Sequence, residues 1–109
     1  MNRGSDSAAS FRLVASGNGR FAAEGALTFA TAREASEQGL RSLASAAAPE
    51  LEVDCSGIVA SDSAGLAVLL DWLGAVKRAG RRLRYTQLPA GLKALGRISE
   101  IEELLERGV

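Results

Sequence analysis

Histidine is absent from this chain of 109 residues, and cysteine, methionine, tryptophan and tyrosine occur once each. Without histidine there is no His-based triad, no haem held by a histidine and little scope for a zinc site. A lone Cys55 cannot close an internal disulfide, and a cytosolic setting fits it. No apolar run approaches the roughly 20 residues needed to cross a bilayer, so membrane association must come through a partner rather than by direct insertion. Neither sign of charge dominates, with 13 Lys and Arg against 13 Asp and Glu, which argues against a domain built to coat nucleic acid. Also missing are a phosphate-cradling Gly-rich loop and a nucleophile with a base at recognisable spacing, so no enzyme, cofactor or metal is expected.

What is present is ordinary for a globular domain. Hydrophobic residues make up 47% and charged residues 24%, enough apolar surface for one core and inconsistent with wholesale disorder. The length suits one domain rather than two. Residues 1–10, MNRGSDSAAS, are small and polar, neither signal peptide nor anchor, and are expected to form a loose tail before a domain spanning residues 11–109.

The stretch Leu51 to Leu70, LEVDCSGIVASDSAGLAVLL, organises the rest. Leu51, Val53 and Cys55 alternate with Glu52 and Asp54, the period-two pattern of a strand with one apolar face. Cys55 then reads as a small buried hydrophobe. Ser56 and Gly57 break the alternation and predict a turn. Ser61, Asp62 and Ser63 stand just before a long apolar run, as a helix N-terminus requires. The unpaired first N–H groups of such a helix and its summed peptide dipoles favour an anionic group nearby. A phosphate on Ser61 or Ser63 would be well placed there and would repel an acidic partner surface. The plainer reading is a structural cap.

At about 100° per residue, the helix from about Ala64 to Ala79 carries Leu66, Leu69, Leu70, Leu73 and Val76 on one stripe, widened by Val68, Trp72 and Ala79. Ser63, Ala67, Asp71, Gly74 and Arg78 share another, narrow arc of mostly small side chains. Its low relief would let a partner approach the helix backbone, with Asp71 and Arg78 fixing the register; an ordinary solvated face is the alternative.

Upstream, Phe11, Leu13 and Ala15 and then Phe21 and Ala23 read as two antiparallel strands, with Asn18 and Gly19 supplying the positive φ angles of a tight hairpin turn. Thr31 and Glu34 have capping-box spacing for a first helix, whose thin apolar stripe is Leu40, Leu43 and Ala47 and whose Gly39 costs about 1 kcal/mol relative to alanine. That helix ends before Pro49.

Downstream, Gly80 reads as the stop of the central helix, Leu83, Tyr85 and Leu88 as a short strand, and residues 90–97 as a helical turn. Ser99 and Glu102 would cap a last helix with Ile101, Leu104 and Leu105 buried. The order strand, strand, helix, strand, helix, strand, helix favours an α/β fold with parallel strand pairs. Glu52 and Asp54 on one strand face put the helices mainly on the other. Lys77, Arg78, Arg81, Arg82 and Arg84 cluster where C-terminal helix carbonyls would welcome them. No aromatic residues are interleaved with these arginines, which leaves nucleic acid the weakest partner candidate.

Asp54, Ser56 and Gly57, followed by Asp62, Ser63, Gly65 and Leu66, resemble the STAS domain, the family named for sulfate transporters and anti-sigma-factor antagonists. The element order extends that likeness over nearly the whole chain. Within the family, Leu27, Thr28, Phe29, Ala30 and Thr31 and the ending from Leu88 to Leu105 are most similar to the small standalone STAS subunit of bacterial Mla-type phospholipid-transport ABC systems. The resemblance implies a STAS-like fold with a mixed four-stranded sheet and helices mainly on one face. It implies a non-enzymatic cytoplasmic subunit, peripheral to the inner membrane. That subunit would bind the transporter ATPase in a complex with the permease and support outer-membrane lipid asymmetry. By this likeness Ser63 matches the position phosphorylated in sporulation-type antagonists, which is Ser or Thr in the Mla-type subunits. Ala64 departs from the serine or glycine common at its position, which weakens a kinase-recognition argument. The expected partner surface is Ser61, Asp62, Ser63, Ala64, Gly65, Ala67, Asp71, Gly74 and Arg78. The alternative is an anti-sigma-factor antagonist that a kinase switches by phosphorylating Ser63.

Overall fold

The computed structural model describes residues 10–98. The expected N-terminal tail, apart from Ser10, and the helix expected after Ser99 lie outside the described residues. Within them the chain runs β1 (Phe11–Gly17), β2 (Arg20–Leu27), α1 (Ala32–Ser45), β3 (Glu50–Ser61), α2 (Ser63–Arg78), β4 (Arg82–Thr86) and α3 (Ala90–Ile98). The four strands form one mixed sheet in the order β1-β2-β3-β4, with β1 antiparallel to β2 and the other two pairs parallel. Each parallel pair is joined by a helix, the connection that parallel neighbours require.

Side-chain alternation decides which face the helices cover. Leu51, Val53 and Cys55 of β3, Leu83 and Tyr85 of β4, and Phe21 and Ala23 of β2 are buried in one core with Leu66, Leu69, Trp72, Leu73 and Val76 of α2. Their neighbours Arg20, Glu52 and Arg84 lie side by side on the uncovered face, in a register that sets Arg20 against Glu52 and Glu52 against Arg84. The face carrying Glu52 and Asp54 is therefore the helix-free one, as the sequence pattern implies. Helix α1 packs on β1 and α2, and α2 packs on β3, β4 and α3.

Five expectations change, the simplest being that β4 ends at Thr86, which leaves the buried Leu88 beyond the strand it was expected to share with Leu83 and Tyr85. The hairpin turn takes a positive φ only at Gly19, at 75°, and the β1–β2 register shifts between Ala15 and Gly17, so Asn18 keeps an ordinary φ. Ser56 and Gly57 do not end the strand, since β3 continues through them to Ser61, with register shifts against β2 on both sides of the Glu24–Gly57 and Gly25–Ile58 pairs. Gly57 permits this close passage, because a Cβ there would lie 2.9 Å from the Ala23 carbonyl oxygen. Thr31 is the N-cap residue of α1 but its side chain makes no capping bond; the buried hydroxyl donates instead to Ala26 O at 2.7 Å. The buried stripe of α1 is Ala35, Gly39 and Leu43, with Leu40 40% exposed and Ala47 beyond the helix end.

Helix α2 ends as Gly80 predicts. That glycine has φ 77°, its N–H donates to Lys77 O, and Arg81 N–H donates to Val76 O, the paired bonds of a left-handed C-terminal stop. The Arg81 guanidinium serves the neighbouring helix rather than its own, donating to the carbonyls of Leu43, Ala44 and Ala46 at the end of α1.

Candidate functional site

At the C-terminal ends of β2, β3 and β4 the chain leaves the sheet in three adjacent loops, the end of an open α/β sheet where ligands and partners characteristically sit. The junction between β3 and α2 is organised around one carboxylate. Asp62 is the N-cap of α2, and its Oδ1 accepts the N–H groups of Ala64 at 2.9 Å and Gly65 at 3.1 Å. Its Oδ2 accepts the N–H of Phe29 at 2.9 Å, tying the β2–α1 loop to the start of α2. The three N–H bonds hold the Asp62 carboxyl below its ordinary pKa, that from Phe29 most strongly, against an opposing push from burial.

This arrangement limits what the helix start can do. Two of its first N–H groups are already taken by the chain's own carboxylate, so the attraction for a free anion is largely spent. A phosphate on Ser63 would have to share that region with Asp62.

The structure sorts the expected site residues by exposure. Ser63, Ala67, Asp71 and Arg78 are exposed along one side of α2, with Ser61, Asp62, Ala64 and Gly74 part-exposed. Arg78 lies back along its helix, its Nη1 3.2 Å from where a Gly74 Cβ would stand. Gly65 is instead buried, and a Cβ there would be 2.1 Å from the Leu27 carbonyl oxygen, so this glycine seats α2 on the end of β2. The first turn of α3 closes the other side, where a Cβ on Gly91 would stand 3.6 Å from Ser61 Oγ.

Two residues that the patterning did not single out belong to this end. Phe29 is 84% exposed and Val59 is 81% exposed, far more than any other large apolar side chain described. Phe29 is bonded to Asp62 through its backbone, and Val59 lies in the irregular last part of β3, two residues before Ser61. The available signal was a phenylalanine set among the loop residues Thr28, Ala30 and Thr31, where it has no strand face to fill. For Val59 there was none, because the register shift that turns it outward is not local.

A broad concavity of about 650 Å³ opens at the opposite end of the sheet, lined by Asn18, Arg20, Glu50, Glu52, Arg82 and Arg84 among others. It is mixed in charge and contains the exposed Arg84–Glu52 ion pair, the features of a solvated face. Among the described residues no group of His, Cys, Asp and Glu side chains could hold a metal ion. Cys55 is buried on the helix side, its thiol pushed up to about 12 by desolvation and secondarily by Asp54.

Residues 12–106 match the family model described as Mlab, STAS domain. Among solved structures, the chain is similar to the anti-sigma factor antagonist SpoIIAA in its unphosphorylated form. That likeness has a TM-score of 0.62 and 11% identity, covering 82% of this chain and 83% of that one, and at this identity it shows the fold. No curated protein matches the chain in sequence.

Proposed function

The chain belongs to the Mlab STAS-domain family, and from that premise we propose that it is a non-enzymatic docking subunit of an Mla-type phospholipid-transport ABC complex. In this reading it binds the cytoplasmic ATPase, supports assembly or activity of the complex with its permease, and so helps to maintain outer-membrane lipid asymmetry. It works from the cytoplasm, peripheral to the inner membrane through its partners. No helix among the described residues is long and apolar enough to cross a membrane.

The observation that carries the reading is the exposed Phe29 ring tied by its backbone to the N-cap of the helix that presents Ser63. A solvent-facing phenylalanine contributes nothing to this chain's core, whereas aromatic anchors ringed by small and polar residues dominate protein interfaces. Ala67 lets the partner lie close to α2 beside Ser63, while Asp71 and the Arg78 side chain, which lies over Gly74, offer charged contacts farther along the same arc.

Co-purification with the transporter ATPase tests this. Phe29→Ser and Ser63→Arg, both at exposed positions, should each weaken the complex by about 30-fold or more, the loss of about 2 kcal/mol characteristic of an interface anchor, with far-UV circular dichroism unchanged. Retention of wild-type affinity by both variants would refute the docking reading.

A second reading is favoured by the exposure of Ser63 together with the SpoIIAA-like fold: an anti-sigma-factor antagonist released when a kinase phosphorylates that serine. Incubation with a cognate anti-sigma kinase and ATP, read by intact mass, separates the two. A gain of one phosphoryl group, lost in Ser63→Ala, supports switching, and an unchanged mass counts against it.

A further inference from the structure

We infer that Asp62 is a positioning residue for partner binding, holding the Phe29 loop so that ring and Ser63 hydroxyl are presented as one rigid unit. This deepens the docking reading and rests on it. The two carboxylate oxygens do different jobs: Oδ1 caps α2 through Ala64 and Gly65, and Oδ2 receives the N–H of Phe29, a residue 33 positions earlier in the chain.

The remaining loop bonds are made within the loop or to the strand that leads into it. Thr28 N–H donates to Thr31 Oγ1, Ala30 N–H to Thr28 Oγ1 and Thr31 N–H to Thr28 O, while the Thr31 hydroxyl donates to Ala26 O. Phe29 is thus the residue of this loop whose N–H is held from a different element. Its side chain, 84% exposed, gets almost no orientation from packing. A charged acceptor on a capped helix supplies the missing constraint, and a loop ordered before encounter loses less freedom on binding.

Asp62→Asn separates the two jobs. Asparagine caps helices as well as aspartate, and its side-chain oxygen can take the N–H groups of Ala64 and Gly65. Its other terminal atom is an NH₂ donor, which cannot accept the Phe29 N–H. In the free full-length chain at neutral pH, D62N should leave circular dichroism unchanged and lower the unfolding midpoint only slightly, by the one bond lost. ¹⁵N relaxation and hydrogen exchange should report a mobile, unprotected Phe29 amide. Affinity for the transporter ATPase should fall about tenfold, the scale of one charge-assisted hydrogen bond. Because Asp62 acts through Phe29, D62N should cause no further loss when added to F29A.

A Phe29 amide as ordered in D62N as in wild type would overturn the inference. So would a tenfold loss that persists undiminished in the F29A background, since Asp62 would then touch the partner itself. If the wild-type chain fails to bind the ATPase, the docking reading falls by itself, and the Phe29 amide still decides whether Asp62 holds the loop.

Discussion

Gly39 shows how much one missing side chain can carry. A Cβ at this position of α1 would stand 2.0 to 2.3 Å from three atoms of the Trp72 indole, so the ring lies directly against the α1 backbone. Gly39→Ala should gain about 1 kcal/mol of helix propensity yet lose about 2–3 kcal/mol overall to overpacking, measured by urea unfolding. The glycine and its propensity cost are plain in the sequence; the indole that requires it, 33 residues away, is not. Asp62 gives a pH-dependent counterpart. Its carboxyl is depressed below the ordinary 3.8, so its contribution to stability is complete above that value and lost as pH falls through the lower folded value. The small stability gap between wild type and Asp62→Asn at neutral pH should therefore close as acid protonates the Asp62 carboxyl of the folded chain, which urea unfolding across the acid range would show. Cys55 was legible from alternation alone as a buried apolar residue. With its thiol pushed up to about 12, it should resist iodoacetamide in the native state and be alkylated only as fast as the chain unfolds.

At the scale of elements, the strands and helices could be read from hydrophobic periodicity because each buries a single face, while errors fell where a distant partner overrides the local pattern. In β3 the alternation Leu51, Val53, Cys55 shifts phase through the register changes around Gly57, so that Ile58 is inward and Val59 outward. A Ser-Gly pair reads as a turn until the adjacent strand is known to pass close beside it. Thr31 and Glu34 have the right spacing for a capping box, but the Thr31 hydroxyl is claimed by Ala26 O. Gln38 is a third case. From α1 it accepts the N–H of Leu13 at 2.9 Å and donates to Phe11 O at 2.9 Å, occupying backbone groups of the edge strand β1 as a neighbouring strand would. Nothing in the local sequence marks it. Gln38→Ala should cost about 1–2 kcal/mol by leaving these part-buried groups unpaired, and hydrogen exchange at the Leu13 amide should accelerate.

For the whole molecule, the governing asymmetry is a sheet covered on one face and charged on the other. That division was legible from Glu52 and Asp54. At the sheet end proposed for docking, the hydroxyls, carboxylate and small residues could be read from their spacing, the exposed Phe29 and Val59 only once the loops were placed. The bare face holds the ion pairs Arg12–Glu24 and Arg84–Glu52, both at 3.0 Å and both solvent-exposed. Pairs of this kind contribute about 0–1 kcal/mol. Arg84→Ala should accordingly change unfolding free energy by less than about 1 kcal/mol, and the wild-type midpoint should move little when salt is raised. The covered face has a different consequence. Trp72 is the only tryptophan in the chain and is fully shielded, with the Phe11 ring centroid 6.1 Å away. Its emission should be blue of free indole and shift red only when the chain opens, while a partner arriving at the proposed docking end would not touch the buried ring. The protein thus carries an intrinsic optical gauge of foldedness, by which an unaltered spectrum in a non-binding variant assigns the defect to the surface without any attached dye.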